Sequence, residues 1–445
     1  MGRGNQPDTA DEAVKAPVAL IDCNNFYASC ERVFDPALQG AALAVLSNND
    51  GCVIARSEEA KRMGVAMGMP MHHIPRDLFA RGLLLRSSNY ELYGDMSRRV
   101  LGVLQEFAPR VEPYSIDESW VALSGLEGDA LAATCHRLRK LVLRWTGIQV
   151  SIGVGPSRTL AKLANRHAKC HPATRGVFVI ERADSPDVLA LLSRTAVNEV
   201  WGVGARASAR LFDMGVLTAL DLACADPALI RRRFSVVLER TSRELAGMYC
   251  IDMLDEREGK KMIMTSRSFG RACTDRRQVA ESLVVHASRG AEKLRRQGSL
   301  ACALTVILRT NRFAQNEVVH RDTALVALPR PTDNTFDIVR AVHRALARIW
   351  QPGVRYHKSG VMLMDLINET HQQLDVFQPP QSDTDRRRSD GLMATLDDLN
   401  RRFGREAVTV GYRHPPEEAA WRMRSCFCSR RWTTRIEESP SARLE

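Results

Sequence analysis

Two hydrophobic periods alternate along this chain, one of about two residues and one of about 3.6. Residues 18–22 form an unbroken apolar run that predicts a buried strand ending on the acidic Asp22, and Asn24, Asn25, Phe26 and Tyr27 then read as a turn entering a helix. A second strand over 43–46 breaks at the turn-rich stretch 47–51, a third begins at Cys52, and the chain turns helical near 57–63. From 90 to 107 apolar residues recur at helical spacing. Pro109 and a hairpin follow, with strands over 110–114 and 119–123 and with Asp117 and Glu118 near its tight centre. A helix over 130–146, a strand over 149–154 and a helix over 158–168, opened by Gly155, Pro156 and Ser157, continue the alternation. This order predicts a sheet covered on one face by helices.

After a strand at 177–180 the pattern changes to short helices as far as Cys250, so a second domain is expected from about residue 184. Its clearest element is Trp201-Gly202-Val203-Gly204. From about Asp255 strands and helices mix again, including an apolar run over 301–308 and an amphipathic stretch over 336–350, which reads as a third domain. Residues 378–390 (QPPQSDTDRRRSD) have linker composition.

A length of 445 residues with 44% apolar and 26% charged positions fits a globular chain of several domains. Residues 1–16 contain no apolar signal core, and nowhere do roughly 18 apolar residues run uninterrupted. A cytoplasmic protein without a membrane span is the expectation. The eleven cysteines are scattered from Cys23 to Cys428 without a CxxC pair, as suits free thiols in a reducing compartment. Cys426 with Cys428, and His72 with His73, are the only close groupings that suggest a metal, and ordinary surface residues explain both as well.

The net charge of +11 matters for its location. Residues 255–358 hold 20 Lys/Arg against 10 Asp/Glu, a net +10, so this stretch carries nearly the whole excess. Concentrated basic charge points to a polyanion, because each neutralised phosphate releases condensed counterions. Arginines solvating helix faces are the plainer alternative.

Three carboxylates at the strand ends of one sheet can chelate two magnesium ions, the arrangement of nucleotidyl transfer. Alone the signal is weak, since Asp-Glu pairs also occur at 11–12 and 255–256. Neighbours on a regular strand face opposite ways, so Asp117 and Glu118 can share a site only near a turn, which the hairpin supplies. Lys162, Arg166 and Lys169 form one basic helix face against which a triphosphate or DNA backbone could lie, or which water simply solvates. The glycines of 201–204 would let backbone amides approach a phosphate, though structural turns use the same pattern.

Residues 21–31 (IDCNNFYASCE), 47–56 (SNNDGCVIAR), 88–93 (SNYELY) and 114–118 (YSIDE) resemble the Y-family translesion DNA polymerases, and within them the UmuC type. The likeness continues through 159–165 (TLAKLAN), 199–204 (EVWGVG) and 266–270 (SRSFG), and it spans about 18–377 in order.

The resemblance implies an α+β multidomain right-hand polymerase. A disordered extension, 1–16, would precede a ferredoxin-like palm over 17–183 with small fingers inserted at about 41–95. A helical thumb with a helix-hairpin-helix element would occupy 184–250, a little finger 255–365, a clamp-binding motif and linker 366–390, and a UmuC-type tail 391–445. By motif position Asp22, Asp117 and Glu118 are the catalytic carboxylates that hold two Mg2+ ions, with the backbone carbonyl of Cys23 a further ligand. Tyr27 is the steric gate that excludes a ribose 2′-hydroxyl, and Phe26 lies beside it. Lys169 contacts the triphosphate, and two finger positions depart from the Tyr and Arg that many members carry: Lys61 keeps the charge toward the triphosphate, whereas Glu58 does not match. Gly202, Gly204, Arg267 and Ser268 fall at DNA-contacting positions.

Near the end of the basic domain Gln373, Leu374 and Phe377 resemble the motif that docks on the sliding clamp. The implied activity is error-prone translesion synthesis in SOS mutagenesis, without a proofreading exonuclease. The implied partners are primer-template DNA, deoxynucleoside triphosphates, the clamp, a UmuD-type dimer and a RecA filament. Rival readings are a catalytically silent DNA-binding scaffold of the same fold and a nucleotidyl cyclase, which would need neither the 202–204 hairpin nor the basic domain.

Overall fold

The structure is a computed structural model that describes residues 17–253, 259–311, 313, 319–371, 382–404, 406–411 and 419–438. These fall into two compact units. The first holds the described residues of Met1–Leu46, Cys52–Glu256 and Phe427–Glu445, and the second those of Ser47–Gly51 and Arg257–Cys426. The expected extension 1–16 and the clamp-motif residues Gln373, Leu374 and Phe377 lie outside the described residues.

The first unit contains strands β1 (Val18–Cys23), β2 (Leu43–Leu46), β3 (Val53–Arg56), β4 (Leu84–Ser87), β5 (Val111–Pro113), β6 (Glu118–Ala122), β7 (Val150–Gly155) and β8 (Val177–Val179). Five of them form one sheet in the order β5-β6-β1-β7-β8. β1 is its centre, antiparallel to β6 on one side and β7 on the other, and all six of its residues are buried. Ala19, Ile21 and Cys23 face a core built with the helices Phe26–Phe34, Tyr90–Phe107 and Gly128–Thr146, while Val18 and Leu20 join Trp120 and Ala161 in a separate cluster.

The sheet is therefore covered on both faces, where the sequence pattern predicts one. The cause is the helix Arg158–Cys170, which lies directly on β7 and β1. Gly153 and Gly155 permit this: a Cβ at Gly153 would stand 2.0 Å from the amide nitrogen of Asn165, and one at Gly155 2.8 Å from that of Ala161. Asn165 then donates from Nδ2 to the carbonyls of Leu20 and Ser151, at 3.2 and 2.8 Å, tying the helix to both strands. Ser157 caps the helix by accepting from the amide of Leu160. The fully buried Glu244 accepts from the amide and hydroxyl of Thr159 at 2.9 and 2.7 Å, where a carboxylate favours the positive helix end.

A small three-stranded sheet, β3-β2-β4, packs with the helices Glu58–Arg62 and Arg76–Ala80 around Leu46, Val53, Ile74 and Leu78. Between 186 and 245 the chain is helical, with a core that includes Leu192, Leu211, Leu222 and Leu245.

In the second unit β9 (Ile263–Cys273), β10 (Ser299–Arg309), β11 (Arg321–Thr332) and β12 (Tyr356–Asn368) form an antiparallel sheet in the order β11-β10-β12-β9. The helices Arg276–Gln297 and Thr335–Ile349 share its core, with Leu283, Leu294, Val342 and Leu346 against Leu304, Val306 and Leu363. The stretch expected to be linker is helical from Asp383, within a helix Asp383–Arg402 capped by Ser382. Polar composition misled here because this helix docks through single contacts: Met393 is buried, and Arg295 grips Asp397 with two bonds of 2.7 Å. Further on, Gly270 donates its amide to the Arg422 carbonyl at 3.1 Å and Arg271 donates to Ala420 at 3.1 Å, so the tail runs along the edge strand β9. Among the described residues no helix is long and apolar enough to cross a membrane.

Candidate active site

β1 delivers Asp22 to the end of the central strand. The ladder pairs it directly with Glu118 on β6 and with Ser151 on β7. Side chains opposite one another in a ladder share a face, and alternation places Asp22 and Glu118 on the face covered by the helix Arg158–Cys170. That helix answers with two lysines. Lys169 Nζ lies 2.5 Å from Asp22 Oδ2 and Lys162 Nζ 2.6 Å from Glu118 Oε1. The third member of the expected basic face, Arg166, pairs with Glu199. Each cation of the expected basic face is thus paired with a carboxylate.

Asp117 reaches the same strand end through the turn. Its carbonyl accepts from the Cys23 amide at 2.9 Å, and Tyr114 and Ser115 both donate their amides to the Glu118 carbonyl at 3.0 Å, closing the hairpin. The Ser115 hydroxyl donates to Asp117 Oδ1 at 2.6 Å and receives the amides of Asp117 and Glu118. Because Asp117 lies in the turn and Glu118 opens β6, the two escape the opposite-facing rule of a regular strand. Neither Ser115 nor Lys162 stands out in the sequence as a partner of these carboxylates, since a turn serine and a helix lysine are common.

The electrostatics of the site favour an added cation. Burial pushes the Asp22 carboxyl up to about 6, against the opposing pull of Lys169, and the negative charges of Glu118 and Asp117 push the same way. The donor set, three carboxylates and the carbonyls of one strand end, is the hard-oxygen chemistry that magnesium takes. The side chains do not stand in a closed cage: among the described residues no three acidic, His or Cys side chains converge on one point, and the lysines hold two of the carboxylates instead.

Phe26 and Tyr27 begin the helix that follows β1, after Asn25 in the left-handed region at φ 48°. Phe26 is buried, and Tyr27 is half-buried with its ring stacked on Tyr93, centroids 4.3 Å apart and planes 14° from parallel. Lys61 forms an exposed pair with Glu58 at 2.7 Å, and Glu58 also accepts from Asn25 Nδ2 at 3.0 Å. Glu58 is therefore bound to the turn that carries Phe26 and Tyr27.

Gly202 has φ 87°, a conformation that favours glycine, and Gly204 caps the helix Ala205–Phe212. Trp201, next to Gly202, packs against Trp120 and Tyr114, with Lys162 Nζ 5.0 Å from the Tyr114 ring centre. In the second unit Arg267 on β9 is half-buried, its guanidinium pKa pulled down by desolvation and by Arg289, while Ser268 is exposed. The Ser268 carbonyl accepts from Asn49 Nδ2 at 3.0 Å. Cys426 and Cys428 are exposed thiols, the former 3.3 Å from Arg424 Nε.

Three family descriptions match in order along the chain: the impB/mucB/samB family over 21–166, its C-terminal domain over 260–376, and a domain of unknown function over 390–442. The ImpB protein of Salmonella typhimurium is 42% identical over 96% of this chain and 99% of its own length. UmuC of the same species is 41% identical over 94% and 98%, and a DNA polymerase IV of Moorella thermoacetica 30% identical over 88% and 94%. A chimeric Y-family DNA polymerase based on Dbh shares the fold with a TM-score of 0.61 at 18% identity, over 79% of this chain and 99% of that one. A mixed sheet with acidic residues at one end could serve many chemistries; with these matches over nearly its full length, the chain belongs to the impB/mucB/samB family and is a Y-family DNA polymerase of the UmuC type.

Proposed function

We infer that this chain performs template-directed, error-prone translesion DNA synthesis in the SOS response, with Asp22, Asp117 and Glu118 as its metal-holding carboxylates. The observation that carries the site assignment is the β1–β6 register, which sets Asp22 opposite Glu118, with the Asp117 carbonyl on the Cys23 amide. The residues fit magnesium, and the Cys23 carbonyl adds a neutral oxygen. Two such ions would activate the primer 3′-hydroxyl and neutralise the departing pyrophosphate.

The chain's own groups do the rest. Lys169 and Lys162 bring positive charge to the end of the sheet where a triphosphate carries negative charge. Tyr27 lies beneath the sugar of the incoming deoxynucleotide and leaves no room for a 2′-hydroxyl, and Phe26 braces it from the core. Lys61 adds a cation from the fingers. Gly202 and Gly204 present exposed backbone to a DNA phosphate, and the half-buried Arg267 and exposed Ser268 side chains on β9 contact the DNA from the basic domain.

Gln373, Leu374 and Phe377 dock on the sliding clamp, and a UmuD-type dimer and a RecA filament complete the assembly in the cytoplasm. The test is extension of a primer past an abasic site by the full chain with magnesium, with and without these partners. Product longer than the lesion position supports the reading, and its absence with all partners present overturns it. A Leu374→Ala, Phe377→Ala double variant keeps synthesis without the clamp and loses stimulation by it. If synthesis persists in an Asp117→Ala, Glu118→Ala variant, the carboxylate assignment fails.

A further inference from the structure

Behind Tyr27 runs a buried polar chain that phosphoryl chemistry does not call for. Tyr93, on which Tyr27 stacks, is fully buried, and its hydroxyl donates to Glu31 Oε1 at 2.8 Å. Glu31 is 1% exposed. It sits four residues after Tyr27 on the same helix, so the gate ring and the carboxylate share one helix face. Desolvation pushes the Glu31 carboxyl up, and its hydrogen bonds from Tyr93 and Ser429 oppose that.

Ser429 belongs to the C-terminal region whose family description is a domain of unknown function. Its hydroxyl donates to Glu31 Oε1 at 3.2 Å and accepts from Asn89 Nδ2 at 3.1 Å. Asn89 in turn caps the helix Tyr90–Phe107, which carries Tyr93, and also donates to the Arg430 carbonyl at 3.3 Å.

Anchors flank this link on both sides. The Phe427 carbonyl accepts from the Ser87 amide and the Phe427 amide donates to the Ser87 hydroxyl, both at 3.0 Å, while the Phe427 ring packs against the small β3-β2-β4 sheet's core. Trp432 stacks on Phe34, centroids 6.2 Å apart and 12° from parallel. Phe34 lies seven residues after Tyr27 on the gate helix, so the segment grips that helix at two of its turns. It also grips the start of the helix that supplies Tyr93.

We propose that segment 427–432 is a positioning element for sugar selection, in which Ser429 holds Glu31 and Tyr93 so that Tyr93 fixes the plane of the Tyr27 ring. The inference rests on the reading of Tyr27 as the gate. A buried carboxylate needs its donors. When Ser429 no longer donates, the oxygen that orients the Tyr93 hydroxyl keeps one donor of two, and the stacked pair gains freedom to shift. Rejection of a 2′-hydroxyl is steric, so a ring free to move by a fraction of an ångström admits ribonucleotides more readily than it impairs deoxynucleotides.

The experiment measures single-nucleotide insertion by the full chain, with whatever partner proteins the wild type requires, using a deoxynucleoside triphosphate and the matching ribonucleoside triphosphate. Ser429→Ala and Tyr93→Phe are expected to lower the ratio of kcat/KM for the two sugars roughly 3- to 10-fold, the scale of one hydrogen bond to a buried carboxylate. Most of the change falls on KM for the ribonucleotide. Ser429→Thr, which keeps the hydroxyl, retains the wild-type ratio.

Loss of folded enzyme would lower both activities equally and leave the ratio alone, so that outcome in both variants assigns the segment to stability and overturns the proposal. Tyr27→Ala separates the two ideas. If it collapses the ratio while Ser429→Ala and Tyr93→Phe do not, the positioning role falls and the gate stands. If Tyr27→Ala leaves the ratio unchanged, the gate reading falls and the proposal with it.

Discussion

Asp22 and Glu118 are direct cross-strand partners at the end of the β1–β6 ladder, and each is paired with a lysine from the one helix laid across that face, Lys169 and Lys162. The two carboxylates are thereby placed by the sheet register and kept from open repulsion by the helix. A register slip of one residue would send Asp22 to the opposite face. The expected consequences of this arrangement, and of three others, can be measured.

Glu118→Gln and Asp22→Asn each keep the side-chain shape and remove a charge. Primer extension should fall on the order of 100- to 1,000-fold, the usual scale for losing one electrostatic contact at a phosphoryl site. Thermal unfolding checks that the fold survives, and chelation of magnesium in the wild type should give the same loss.

Gly153→Ala forces a methyl group to within 2.0 Å of the Asn165 amide nitrogen and 2.4 Å of the Ala161 carbonyl. Backbone atoms on both sides cannot yield cheaply, so a loss of about 3 kcal/mol or more is expected by urea denaturation. Gly102→Ala, where a Cβ meets nothing within 4 Å in the helix Tyr90–Phe107, is the control and should be neutral or mildly stabilising.

His286 is buried in the helix Arg276–Gln297, and desolvation together with Arg289, Arg267, Lys293 and Lys358 pulls its pKa down to about 3. The folded state keeps the ring neutral while the unfolded chain binds a proton below about 6.5. Stability is therefore complete above that pH and is lost as pH falls from about 6.5 towards 3, by about 2–3 kcal/mol at pH 4.5. Urea midpoints between pH 7.5 and 4.5 test this, and His286→Leu should flatten the dependence that this residue contributes.

Arg267 lies on β9, half-buried among Arg289 and Arg422. If it meets a DNA phosphate, Arg267→Ala should weaken binding alike for unrelated sequences and reduce the slope of log affinity against log salt by about 1. Fluorescence anisotropy of a labelled primer-template over a salt series gives both numbers. An unchanged slope removes Arg267 from the interface.

Much of the fold was legible in the residue pattern because burial leaves a period. The run 18–22 reads as β1, the helix expected over 90–107 forms as Tyr90–Phe107, and strands expected over 149–154 and 301–308 lie within a residue or two of β7 and β10. The placement of Asp22 at a strand end and of Asp117 and Glu118 at a hairpin turn was also legible, from the apolar run before Asp22 and the turn at 114–117. Single contacts left no such mark. The helix Asp383–Arg402 hid in linker-like composition because only Met393, Asp397 and a few neighbours dock it. The basic helix face was legible as a face but its carboxylate partners were not, because they lie 33 to 147 positions away along the chain.

What the sequence by itself determined is therefore the set of local choices: which segments are strands or helices, where Asp22, Asp117 and Glu118 fall relative to them, and which family the motifs resemble. Only the tertiary structure decided which groups meet. It seated the helix Arg158–Cys170 on the second face of the sheet through Gly153 and Gly155, turned Lys162 and Lys169 onto the carboxylates, and brought Ser429 to Glu31 across 398 positions of chain. The physical reason is that strand and helix periods arise from burial averaged over many residues, whereas a hydrogen bond between distant side chains depends on two atoms and leaves no periodic trace.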